Sequence, residues 1–197
     1  MDKGRKIILA VGGASGSIYA RLLAERLISK AKAEEGYFSE IALITSKQSQ
    51  QIAAYEDSTL WYDNDIFTRY DNADFFSAPA SGSACYDTMI VVPCSMGFIG
   101  RVAAGVADTL MLRAADVMIK ERERLILVPR ETPLSTIHIE NLARLSGAGV
   151  VICPASPSFY QGAQSIEELC GTVVDRILKL AKIESPNYKW GENNKKH

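Results

Sequence analysis

Short continuous apolar runs alternate along this chain with longer stretches in which apolar residues recur at helical spacing. KIILAV at 6–11 is such a run, β-branched in part and ended by Gly12-Gly13, the pattern of a strand buried on both faces. After GGASGS comes YARLLAERLISKAKAEE, in which Tyr19, Leu22, Leu23 and Leu27 share one face of a helix. EIALIT at 40–45 predicts a second strand, with Ser46-Lys47 at its carboxyl end and a helix over 48–55. Further strands are predicted at 88–92, 125–128 and 149–153. Residues 93–113, PCSMGFIGRVAAGVADTLMLR, lead from the third strand through a turn of small residues into one long helix reaching about residue 123. A helix is predicted over 136–146. Ser165 starts the last one with a capping box to Glu168, followed by a stripe of Leu169, Val173, Ile177 and Leu180. Between 56 and 84 the periodicity dissolves into acidic, aromatic and small residues, which predicts a long functional or disordered loop.

Strands alternating with helices at this spacing predict an α/β fold with a doubly wound parallel sheet, because parallel strands need crossovers. The order of the strands is not readable from the sequence. The 197 residues are read as a single domain, with a core over 6–182 and a polar tail over 185–197 in which Trp190 is able to pack on a neighbour. A net charge of -1 offers no field that would recruit nucleic acid or an anionic membrane, so any anion must be bound locally. Cys85, Cys94, Cys153 and Cys170 form no CxxC pair, and histidine occurs only at 138 and 197. That argues against a zinc site and a disulfide framework, and no metal is expected. The apolar run near the N-terminus is too short for a signal sequence, which predicts a cytoplasmic protein.

The loops at the carboxyl ends of the strands hold the candidate chemistry. A dinucleotide fingerprint fails at the first loop, because Val11 stands where its first glycine belongs, and the second strand ends in Thr45, Ser46 and Lys47 with no acidic residue for a ribose. NAD is therefore disfavoured. GGASG with Ser15, TSK with Ser46, CSMG with Ser95 and PRE with Arg130 and Glu131 supply convergent hydroxyls and a guanidinium. These suit an anionic, hydrogen-bonding cofactor such as FMN, although serines alone are common turn residues.

GASG, PASGS at 79–83, PCSMG, RAADVMIKER, LVPRETPLSTIHIEN, PASPSFY, QSIEEL and VVDRIL follow one another in an order that resembles the UbiX-type flavin prenyltransferases from about residue 6 to 180. The resemblance implies a flavodoxin-like, Rossmann-type three-layer α/β/α fold and a homo-oligomer, a dodecamer built from trimers. It implies transfer of a dimethylallyl group from dimethylallyl phosphate to reduced FMN without a metal, the prenylated FMN serving a UbiD-type decarboxylase. It also puts Gly13, Ala14, Ser15, Ser46, Ser95, Met96, Gly97, Phe98 and Arg130 around FMN. Lys120, Arg130, Tyr160 and Arg176 are placed around the prenyl phosphate, and Glu131, Ser15, Glu56 and Arg113 are implied as catalytic. Two positions depart from the family: Phe98 stands where a threonine is usual, and Phe75-Phe76 where a tryptophan is common before PASGS.

The chemistry fits these residue types. A prenyl phosphate leaves only when cations and hydroxyls converge on growing negative charge, and closing the second bond to the flavin requires proton transfer. Each residue also has a plainer reading. Lys120 in KERER suits a solvated helix end, Arg176 a pair with a carboxylate such as Asp175 or a neighbour's, and Tyr160 a core position. His138 is read as structural with a local partner, and Cys94 as packing. A cysteine decarboxylase-type flavoprotein and a non-catalytic flavin carrier are the alternative functions.

Overall fold

A computed structural model describes residues 4–56 and 63–184. Six strands form one all-parallel sheet: β1 (Arg5–Val11), β2 (Phe38–Thr45), β3 (Phe67–Tyr70), β4 (Thr88–Cys94), β5 (Arg124–Pro129) and β6 (Val151–Ile152). Their order is β3-β2-β1-β4-β5-β6, so the direction of winding reverses between β1 and β4. The helices are α1 (Ser17–Ala33), α2 (Lys47–Tyr55), α3 (Met96–Ala103), α4 (Leu110–Lys120), α5 (Thr136–Gly147) and α6 (Ile166–Leu180). This is the three-layer, flavodoxin-like α/β/α architecture.

Strand alternation divides the core into two layers. Ile7, Leu9 and Val11 of β1 face α1 and α6, meeting Leu23, Leu27, Val173 and Ile177. Ile8 and Ala10 face the opposite layer, with Ile99, Leu112, Ala115 and Leu145 of α3, α4 and α5. Truncating one such side chain to alanine costs about 2–5 kcal/mol, because the site collapses only partly around the lost atoms.

Four predicted features need correction. Within the expected long loop, 67–70 forms β3, an edge strand paired in parallel with β2 from Ile41↔Phe67 to Ile44↔Tyr70. It has no apolar run to announce it, since only Phe67 is buried. The expected long helix to 123 is two helices. Gly105 turns the chain at φ 72, a conformation that glycine tolerates. Thr109 then restarts the helix by accepting from the Leu112 amide at 3.4 Å. Asn72, just beyond β3, also holds this start: its carbonyl accepts from the Leu110 amide and its Oδ1 from the Met111 amide at 2.9 Å. The fifth predicted strand shrinks to the two residues of β6. At α6, Ser165 Oγ accepts from the Glu168 amide at 3.1 Å, but the Glu168 carboxylate reaches past the cap to the Gln164 amide at 2.7 Å. A full capping box instead opens α5, where His138 Nδ1 accepts from the Ser135 amide, the local structural role expected of this histidine. The predicted tail at 185–197, with Trp190, lies outside the described residues.

The amino edge of the sheet is closed by polar groups that satisfy one another. Arg5 Nη2 meets Asp87 Oδ1 at 2.5 Å, and its Nη1 donates to the Ala181 carbonyl at 2.9 Å, capping the end of α6. Glu40 accepts from the Tyr70 and Tyr86 hydroxyls at 2.7 Å each and pairs with Lys6 Nζ at 3.0 Å. Burial opposes ionisation of Glu40, but these three partners outweigh it and its pKa is lowered. The less encumbered polar groups lie at the opposite, carboxyl edge.

Candidate active site

At the reversal between β1 and β4, backbones approach too closely for side chains. A Cβ at Gly12 would lie 2.5 Å from the Pro93 carbonyl oxygen, which accepts from the Gly12 amide at 3.1 Å. A Cβ at Gly13 would lie 2.8 Å from Gln48 Cβ and 3.7 Å from Ser46 Oγ. The glycines thus press the first loop against the ends of β4 and β2. Arg130, at the end of β5, ties these loops together. Its amide donates to the Cys94 carbonyl at 3.3 Å and its Nε to the Ser15 carbonyl at 3.1 Å.

Two helices start at this edge with serine caps. Ser46 Oγ accepts from the Ser49 amide at 3.0 Å, and Ser95 Oγ accepts from the Phe98 amide at 3.2 Å. Because each oxygen is held by an amide, its O–H is left aimed by the cap and able to donate to a ligand. Gly97 has ample space, its nearest neighbour being Ser95 Oγ at 3.9 Å from an added Cβ. Phe98 is half-buried and packs on the α3–α5 layer, so its ring joins the wall of the fold where the family's threonine would offer a hydroxyl.

The start of α1 is occupied by a carboxylate. Glu56 accepts from the Gly16 amide at 3.0 Å, from the Ser17 amide at 2.7 Å and from the Ser17 hydroxyl at 2.7 Å. Burial raises its pKa, but hydrogen bonds from the Ser17 and Ser15 hydroxyls and from the Ser17 and Gly16 amides more than offset this, and the net direction is down. Glu56 is therefore held ionised beside Ser15. Sequence reasoning missed Ser17, which is buried; a Gly-Ser pair at the start of a helix was the signal available.

Gly13, Ala14, Ser15, Ser46, Ser95, Arg130 and Glu56 are thus gathered on adjoining loops. Glu131 stands exposed next to Arg130, accepting from the Thr132 amide at 3.1 Å. Tyr160 is 84% exposed in the loop after β6, which removes the core reading. Arg176 lies close enough to Cys153, at the end of β6, to oppose the upward pKa shift that burial gives that thiol. Its expected pair with Asp175 is not formed: Asp175 faces Arg26 at 4.0 Å instead. Cys94 is wholly buried, and burial pushes its thiol pKa up, as suits packing.

Lys120 is not brought to this edge, whereas Arg113 lies one turn into α4, near its anchored start. Since α4 descends from its Asn72 anchor toward the start of β5, Lys120 lies about 15 Å below the start of α4. There it pairs with Glu121. Arg113 Nε donates to the Ala80 carbonyl of PASGS at 3.1 Å, while its Nη1 meets Asp116 at 2.7 Å.

The gathered set fits a flat, anionic, hydrogen-bonding ligand: a close-packed first loop of small residues, hydroxyls at two helix starts and one guanidinium. A parallel sheet with polar loops gathered at its winding reversal is where open α/β folds bind nucleotide-like ligands, and the flavoprotein family model matches residues 1–181, which gives the class. The flavin prenyltransferase UbiX of Thermoplasma acidophilum is 41% identical over 180 residues, covering 90% of this chain and 95% of that relative. The crystal structure of AnUbiX in complex with FMN and dimethylallyl pyrophosphate superposes with a TM-score of 0.78 at 37% identity, over 94% of this chain and 99% of that one. A dodecameric FMN-dependent UbiX-like decarboxylase from Escherichia coli O157:H7 gives a TM-score of 0.82 at 35% identity, over 93% and 98%. The chain belongs to the UbiX/Pad family of flavin prenyltransferases.

Proposed function

We propose that this protein transfers a dimethylallyl group from dimethylallyl phosphate to reduced FMN, and that the product is the cofactor of a UbiD-type decarboxylase in the cytoplasm. The observation that carries the reading is the position of Arg130. It binds the first loop through Ser15 and the end of β4 through Cys94, beside the free carboxylate edge of Glu131.

Gly13, Ala14, Ser15, Ser46, Arg130 and the turn of Ser95, Met96, Gly97 and Phe98 hold FMN. Reduced FMN supplies the electron-rich nitrogen and neighbouring ring carbon that accept the prenyl group. Arg130, Tyr160 and Arg176 bind the prenyl phosphate and stabilise the charge that grows on it as it leaves. The Ser15 hydroxyl hydrogen-bonds the ionised Glu56 carboxylate, so a proton passes through it toward Glu56. Glu131, exposed and held only by the Thr132 amide among its described hydrogen bonds, handles the proton at the mouth of the site.

Anaerobic incubation of the purified protein with FMN, a reductant and dimethylallyl phosphate should yield a flavin heavier by one prenyl group by mass spectrometry. Unmodified FMN, under conditions where a family member converts it, rejects the reading.

Lys120 fits this chemistry only if a neighbouring copy presents its α4 face to the site, which supports a homo-oligomer of the dodecameric kind. Mixed oligomers of Lys120→Ala and Glu131→Gln chains, each poorly active alone, should then recover part of the wild-type rate. Mixtures no more active than the separate variants place Lys120 outside the site.

A further inference from the structure

We propose that Glu56 serves as a built-in anion at the start of α1, barring phosphate from that helix and thereby selecting against dinucleotides. This rests on the flavin reading above and assigns Glu56 a part separate from proton transfer. The strand order β3-β2-β1-β4-β5-β6 brings the start of α1 to the winding reversal, where folds of this order place the pyrophosphate of a dinucleotide. Here that place is filled from within. The Gly16 and Ser17 amides, which would receive a phosphate, both donate to the Glu56 carboxylate, and the Ser17 hydroxyl adds a third donor. These three donors are thus consumed, and an arriving phosphate would also meet a like charge at close range.

Two independent features agree. Glycines of a dinucleotide loop let the pyrophosphate approach the backbone. In this chain the corresponding space is taken by protein, because Gly12 faces the Pro93 carbonyl and Gly13 faces Gln48. Glu56 is also anchored as the C-cap of α2, its amide donating to the Ile52 carbonyl at 2.9 Å, so the carboxylate is delivered by a helix end. The hydrogen bonds that lower its pKa keep it charged at neutral pH.

The test titrates inorganic pyrophosphate into wild-type, Glu56→Ala and Glu56→Gln protein by calorimetry, with crystals of each soaked in the same ion. Removing the charge should strengthen pyrophosphate binding about tenfold or more. In Glu56→Ala crystals an anion should appear on the Gly16 and Ser17 amides, where wild-type crystals show none. Equal affinities in all three proteins, with no anion at that turn, overturn the proposal. Should Glu56→Ala fail to fold, Glu56→Gln keeps the shape without the charge, and the same absence of a gain is decisive. A parallel titration with FMN separates the two readings: wild-type protein that binds no FMN refutes the flavin reading, while the pyrophosphate comparison still decides the role of Glu56.

Discussion

Glu131→Gln is expected to bind FMN as the wild type does and to form prenylated flavin about 10²–10⁴-fold more slowly, the usual worth of a positioned proton-transfer group. The substitution keeps the shape of the side chain and its contact with the Thr132 amide, while removing the capacity to take a proton. Because Glu131 is exposed and pairs with no described cation, its loss should leave the melting temperature within a degree or two. Single-turnover kinetics with flavin and donor both saturating checks the rate separately from binding. An unchanged rate removes Glu131 from the mechanism. A fall in rate together with loss of flavin makes it a binding residue.

Arg130→Ala should have the broader effect, weakening both FMN and prenyl phosphate. The guanidinium holds the Ser15 carbonyl at 3.1 Å, so its removal frees the first loop as well as deleting a charge from the phosphate site. Charge-assisted hydrogen bonds are worth about 1.5–3 kcal/mol each, which predicts a loss of about tenfold to a hundredfold in affinity for each ligand. Arg130→Lys separates the two contributions. It restores charge without the planar fork, so donor affinity should recover in part while the loop contact does not. Fluorescence titration of FMN and the donor dependence of the rate measure the two arms. Flavin binding that is unaffected in Arg130→Ala would show that the Ser15 contact does not shape the flavin site.

Lys120 illustrates how a residue legible as a motif differs from one placed in a site. RAADVMIKER identifies it by resemblance, but in the fold α4 carries it away from the carboxyl edge, next to Glu121. In the proposed reaction its use then depends on a second copy. Glu56 illustrates the reverse. Its surroundings in the sequence are irregular, yet the end of α2 sets it against the start of α1, a contact between residues 39 and 40 positions apart.

By itself the sequence determined the alternating strands and helices, the glycine and serine loops and the cation-rich motifs, because periodicity and turn chemistry are local properties of neighbouring residues. The family followed from the order of those motifs. Only the tertiary structure decided the strand order, the edge strand β3 and the break at Gly105. Pairing partners and the Asn72 anchor come from residues distant along the chain, and no local pattern encodes them. The same holds for the carboxylate on α1: its hydrogen bonds exist only once the sheet has brought two helix ends together.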